Sequence, residues 1–391
     1  MQPKTKIPFP RTCGMLSITV LAAVAILFSG CSLLDSAYSS VMGAVGVIEN
    51  GTVISRRANI RSSYAVVAAD VLEVKRGEQL EIMDELEFEN VVWYRVRADD
   101  EDRTEGWIEA QHMIKEDDLQ KSKDIAEQDQ GLPAQATGQL RAMSNLRLTP
   151  KQADDNILLL LESGAPFEIV DWEYVPKEPE EGSEDGEENE EIAAAGTEGD
   201  PERLNAKYDM WYKVRLDPSV SPAPMGWIFG RQIELQVPSD IVYFQSNDRK
   251  FVTWLRLDDL PTAPPAATQK DMAARVARPG SWVILSRTNE VKAIDGVEPD
   301  FDGILVLGFD KYNEEHYTVY SSRRERYDVW GLLPVTLEGA GDDKTFTVKL
   351  RNKDTGKMED KKFQVYRDKN RRLRLNAPED IESFAFRGKR R

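Results

Sequence analysis

The stretch WYRVRADDEDRTEGWI, beginning at Trp93, returns at Trp211 as WYKVRLDPSVSPAPMGWI, 118 residues further on. A sentence written twice means that each copy closes a unit built on one plan, so a fold has to be found for about 65 residues rather than for 391. The matches run in register. TVISRRANIR (52–61) corresponds to GQLRAMSNLR (138–147), aligning Asn59, Ile60 and Arg61 with Asn145, Leu146 and Arg147. VLEVKRGEQLEI, ending at Ile82, then corresponds to LLLLESGAPFEI, ending at Ile169. Asn to Gly is 18 residues in the first copy (59 to 77) and 19 in the second (145 to 164). From that Gly to the Trp-Tyr pair the spans are 16 and 47, so the second copy carries 31 extra residues at one place.

The excess coincides with PKEPEEGSEDGEENEEIAAAGTEGDPER, where twelve acidic residues lie between Glu178 and Glu202. Such a composition has too little apolar surface to fold on its own, and predicts a disordered loop over 176–207, set between two strands. Its spacing lacks the Asp-x-Asp-x-Asp-Gly pattern of a calcium loop.

Within each copy, short runs rich in β-branched and aromatic residues alternate with Gly and charged turns, the pattern of antiparallel strands. Along WYRVR, Tyr94 and Val96 share one face while Trp93, Arg95 and Arg97 share the other. The Tyr-Val face is the expected core. Trp93, Arg95 and Arg97, with Trp211, Lys213 and Arg215 in the second copy, are then candidate ligand-binding residues turned at least partly towards solvent. An aromatic beside cations can stack on a sugar or peptide plane while the cations meet carboxylates. The alternative, that these tryptophans cap a barrel by packing on a neighbouring strand, stays open. Trp107 and Trp227 follow Gly106 and Gly226 and read as core or turn-packing residues.

Two units that share N-(I/L)-R, a central Gly and a WY…GWI ending resemble bacterial SH3 domains, over 51–115 and 137–235. The resemblance implies a small, strongly bent β-barrel in each copy, with hairpin connections at 98–105 and 216–225. It also implies a binding module of the cell envelope that engages peptidoglycan or peptides. Such modules are often attached to wall hydrolases that use a Cys-His pair or a zinc site.

The N-terminus reads as an address. Lys4, Lys6 and Arg11 precede an apolar run from Met15 to Ser29, too short to span a bilayer comfortably, and LFSGC places small residues before Cys31. This resembles the lipobox of bacterial lipoproteins, although Phe28 stands where Leu is usual. The resemblance implies a signal over 1–30 and a diacylated Cys31, with 31–50 as a tether. The other reading is an ordinary secretory signal. With Ser32 rather than Asp after the cysteine, the resemblance points to the periplasmic face of the outer membrane. Cys13 and Cys31 are the two cysteines, so the processed chain is expected to have no free thiol and no thiol chemistry. Loss of the three cations takes the net charge from −17 to −20, which argues against nucleic acid as a partner.

Residues 116–136 predict a linker with a short exposed helix, and 236–280 a Pro-rich linker with a short helix at TQKDMAARVA. The last 111 residues, 281–391, predict an antiparallel β-rich domain, with strands at SWVILS, GILVLGF, HYTVYS, KTFTVKLR and KKFQVYR. Its aromatics Tyr312, Tyr317, Tyr320, Tyr327 and Trp330 are dense enough to line a surface. From Arg367 to Arg391 nine basic residues face four acidic ones, a basic tail that can meet the acidic loop, an anionic polymer or water. His112 and His316 are the two histidines, 204 residues apart, which argues against a shared zinc site.

The fold class expected is therefore mainly β, two tandem small barrels followed by an antiparallel domain. The expected function is a non-catalytic lipid-anchored tether or scaffold that needs no cofactor and binds peptidoglycan or an envelope protein. Two modules on one chain would raise effective concentration. The competing reading is a carboxylate-based glycoside hydrolase using Asp300, Asp302, Glu314 or Glu315, which requires two facing carboxylates in a cleft. A third is a structural assembly component whose barrels pack on each other.

Overall fold

The computed structural model describes residues 49–177, 208–246, 249–259, 278–288 and 290–386. The expected signal with Cys31, most of the acidic insert, the helix at TQKDMAARVA and the last five residues lie outside the described residues. The chain is mainly β and its strands pair antiparallel. It divides into two compact units, Met1–Lys115 and Glu116–Arg391.

In the first unit the strands are β1 (Glu49–Val53), β2 (Arg57–Arg61), β3 (Asp70–Lys75), β4 (Gln79–Phe88), β5 (Val91–Ala98), β6 (Glu105–Glu109) and β7 (Met113–Lys115). They form one sheet in the order β3-β2-β6-β5-β4-β1-β7. Its core is Val53, Ile60, Val74, Leu80, Ile82, Val96, Ile108 and Met113, with Ala58 and Ala98. The ten-residue β4 pairs with β1 through Gln79–Ile82 and with β5 through Leu80–Phe88, and its register with β5 shifts between Ile82 and Asp84. A bulge there bends the strand so that both pairings hold.

The second unit opens with helix α1 (Glu116–Gln128), whose first turn carries Glu116, Asp117 and Asp118, as the N-terminal end of a helix dipole favours. Its next strands are β8 (Ala136–Leu140), β9 (Ser144–Arg147), β10 (Ile157–Leu161), β11 (Pro166–Pro176), β12 (Tyr208–Arg215), β13 (Met225–Phe229) and β14 (Ile233–Leu235). Their order is β10-β9-β13-β12-β11-β8-β14, that of the first sheet strand for strand. The correspondence extends to single bonds. Ile54 N–H donates to His112 O, and Arg141 N–H to Gln232 O, both at 2.9 Å. Gly77 N–H donates to Val53 O and Gly164 N–H to Leu140 O, and both glycines have positive φ, 88° and 77°. The bulge recurs between Ile169 and Asp171. Gly106 and Gly226, from the duplicated motif, are fixed by contact: a Cβ at Gly106 would lie 2.5 Å from Arg61 O, and one at Gly226 2.9 Å from Arg147 O.

The rest of the unit is β15 (Lys250–Arg256), β16 (Trp282–Arg287), β17 (Gly303–Asp310), β18 (Glu315–Ser321), β19 (Gly331–Ala340), β20 (Asp343–Arg351), β21 (Met358–Arg367) and β22 (Leu373–Asn376). They form two four-stranded meanders, β15 to β18 and β19 to β22, which share one core. Leu255, Val283, Leu285, Ile304 and Val306 from the first sheet meet Phe346, Val348, Leu350, Phe363 and Val365 from the second. Phe346 and Phe363 stack with centroids 4.9 Å apart. All six residues of β16 are buried, so this strand is covered on both faces.

The linker expected over 236–280 needs correction. KFVTWLR within it is β15, paired with β16 along its length and burying Phe251, Thr253, Trp254 and Leu255. Asp240, also within it, accepts from Trp282 Nε1 at 2.9 Å and Gly280 N at 3.1 Å. Gln135, at the end of the other expected linker, is fully buried. Its side chain accepts from Val335 N at 2.8 Å and donates to Val335 O at 2.9 Å, while its own carbonyl accepts from Trp254 N at 2.9 Å. One residue thus ties the second repeat to both meanders.

Candidate functional site

The candidate tryptophans are core residues. Trp93 is 5% exposed and Trp211 is 2% exposed, so the expectation that they turn partly towards solvent is corrected in favour of packing. In the first repeat the Arg61 guanidinium lies 5.8 Å from the centre of the Trp93 ring and donates to the carbonyls of Val66 and Ala68, at 2.9 and 3.2 Å. The β2–β3 connection is thereby held over the outer face, where Tyr64 meets both Trp107 and Phe88 at 5.2 Å. In the second repeat Trp211 packs on Phe229 at 5.3 Å. Alternation separates the two faces of a strand correctly; it does not say that a loop covers the second one.

The cations beside them are already partnered. Arg97 binds Glu105 at 2.7 Å and Glu81 at 3.2 Å, and Arg95 binds Glu105 at 3.0 Å. Hydrogen bonds from Arg97 and Arg95 hold the Glu105 carboxyl below its ordinary range. Lys213 pairs with Asp129 at 2.7 Å while lying 5.4 Å from the Trp227 ring centre. Arg215 pairs with Glu168 at 3.2 Å and donates to Leu132 O at 3.0 Å. Asp129 and Leu132 directly follow α1, and Ser122 on α1 donates to Met225 O at 2.5 Å and accepts from Met225 N at 3.1 Å. The helix and the turn after it therefore occupy the face of the second repeat that carries Lys213, Arg215 and Trp227.

The carboxylates of the C-terminal region have fixed partners too. Asp300 accepts from Trp172 Nε1 at 3.0 Å and from Leu333 N at 2.9 Å, one donor on each oxygen. Asp302 is fully buried and accepts from Thr288 N on both oxygens, at 2.8 and 3.0 Å, and from Thr288 Oγ1 at 2.7 Å. Burial raises both carboxyls above the ordinary value, and these hydrogen bonds oppose the shift. Glu314 and Glu315 are exposed at the β17–β18 turn. Among the aromatics, Trp330 is 1% exposed, Tyr317 Oη accepts from Leu373 N at 2.7 Å, and Tyr312 stands in solvent. Among the described residues of the basic tail, Arg367 pairs with Asp258 and Asp342, Arg371 with Asp342, and Arg374 with Asp368.

A pocket of about 210 Å³ lies elsewhere on the second repeat, where the start of β12, the turn between β13 and β14, and the end of β8 converge. Arg141, Tyr208, Asp209, Phe229, Gly230 and Arg231 line it. Gly230 permits the convergence, since a Cβ there would lie 2.7 Å from Met210 O. Arg231 sits 5.7 Å from the Phe229 ring centre, and neither it nor Arg141 has a side-chain hydrogen bond or ion pair among the described residues. The duplication supplies the comparison. By the shared backbone bonds, Arg141 corresponds to Ile54 and not to Ser55, one residue off the register of the aligned sequences, while Arg231 corresponds to Gln111 and Phe229 to Glu109. In the first copy Ile54 is buried and Gln111 donates to Glu109, so the frame is shared and the cations are not. The sequence carries this signal as differences between the aligned copies, which the motifs they share do not show.

No protein-family model matches the chain, and no curated protein does. Among solved structures, NlpC2 from Trichomonas vaginalis matches with a TM-score of 0.15 and 8% identity, over 85% of this chain and 93% of that one. NlpC1 from Trichomonas vaginalis matches with a TM-score of 0.14 and 9% identity, over 88% and 93%. Likeness at that level carries no argument about fold or function.

Proposed function

We propose that the chain is a non-catalytic lipoprotein of the cell envelope, anchored through Cys31, whose two SH3-like repeats act as a tether or scaffold on peptidoglycan or an envelope protein. The observation that supports this reading best is the strand-for-strand identity of the two sheets, with chemistry varied on the second at an open pocket. A duplicated frame with a locally altered rim is what a pair of recognition modules needs, because the frame keeps the fold while the rim sets the ligand. The anchor rests on the cationic start, the apolar run and LFSGC, and the placement at the outer membrane on Ser32. The glycoside hydrolase reading draws no support from Asp300 and Asp302, whose oxygens are held by fixed donors.

Co-sedimentation of the full chain, kept in detergent, with purified peptidoglycan sacculi tests the reading, with released fragments assayed in the same tubes. Binding without fragment release is expected. A chain that stays in the supernatant would overturn wall binding and leave the envelope-protein partner, and fragment release would overturn the non-catalytic reading. Tryptophan variants are unsuitable for this test, because Trp93 and Trp211 are core residues whose loss would damage the barrels.

A further inference from the structure

We infer that the pocket on the second repeat is a carboxylate site, and that it takes the C-terminal end of a peptide. The inference rests on reading the second repeat as a binding module. It begins from charge. On a chain of net charge −17, Arg141 and Arg231 line one pocket without an ion-pair partner among the described residues, whereas Lys213 and Arg215 of the same repeat are paired. Guanidinium groups present forked donors that match a carboxylate, so an anionic group between Arg141 and Arg231 supplies what the described residues do not.

The other linings narrow the class. Asp209 makes no ion pair with either arginine and sets a negative charge on the same pocket. A compact polyanion would be repelled there, whereas the N–H next to a terminal carboxylate has an acceptor. The rings of Tyr208 and Phe229 offer an apolar wall for the last side chain. Size points the same way. At about 210 Å³ the pocket is smaller than the roughly 300–1,000 Å³ of ordinary ligand sites, so it fits an end group and not the middle of a chain. The first repeat lacks the site, because Ile54 and Gln111 stand where the two arginines do.

The test is calorimetric titration of the full chain in detergent with N-acetyl-alanyl-alanine and, separately, with its carboxamide. The acid should bind and the amide should bind about tenfold more weakly or not at all. Arg141→Gln and Arg231→Gln should each weaken the acid about five- to tenfold, with circular dichroism unchanged, while Gln111→Ala in the first repeat should bind like the parent. Equal binding of acid and amide, unchanged binding in both arginine variants, or no heat from the acid up to about 10 mM would each overturn the site. The two readings fail separately. Sedimentation with sacculi but no preference for the acid removes the carboxylate site alone; preference for the acid without sedimentation removes wall binding alone.

Discussion

Asp302 shows how a single side chain can be buried, ionisable and still structural. It caps the turn after β16 through Thr288, and burial raises its carboxyl above the ordinary value of about 3.9. A carboxyl with a higher pKa in the folded chain holds its proton more tightly there than when unfolded. Its contribution therefore favours folding at low pH and is lost as pH rises through the raised value. Asp302→Asn removes that titration, so the stability of the parent relative to the variant should fall as pH is raised from about 4 to about 7. Urea unfolding of both chains across that range reads the difference, and parallel pH curves would contradict it. None of this was legible in EPDFDG, where Asp300 and Asp302 look like a candidate pair: acidity can be read from a sequence, the donors that occupy it cannot.

At the scale of elements, what the sequence made legible follows periodicity. In β20 the alternation of Phe346, Val348 and Leu350 with Thr347, Lys349 and Arg351 places the apolar set in the core, and the strand lies where the pattern predicts. In β15 the run KFVTWLR has the same β-branched and aromatic content, yet the prolines downstream give the segment the composition of a linker. The helix expected in KEDDLQKSKDIAEQDQ is present as α1, but its role was hidden, since a mostly polar helix gives little sign of where it docks. Leu119 and Ser122, one turn apart, are its buried residues, and the Ser122 hydroxyl satisfies both the N–H and the carbonyl of Met225. Ser122→Ala leaves those buried backbone groups without their partner and should cost about 1–3 kcal/mol. The loss should appear in urea unfolding together with faster hydrogen exchange at the Met225 amide. A variant as stable and as protected as the parent would mean that α1 contributes little to the face it covers.

At the scale of the whole molecule the two copies are alike in frame and unlike in dependence. The first repeat is a unit by itself, whereas the second shares its unit with α1 and the two meanders. Gln135 carries that sharing, through a pairing that reaches 200 residues down the chain to Val335. This pairing also sets an order in time. A ribosome releases the second repeat long before Val335 exists, so Gln135 must wait with its amide in water or bound elsewhere, and its contact belongs among the last to form. Late contacts slow unfolding without hastening folding. Gln135→Ala should thus raise the unfolding rate of this unit several-fold and leave its refolding rate nearly unchanged, as stopped-flow denaturant jumps would record. A slowed refolding arm would instead place the contact in the folding nucleus. The buried glutamine is in that sense a latch that closes after synthesis has passed it, and until then the second repeat has the strands of its twin without the same means of standing alone.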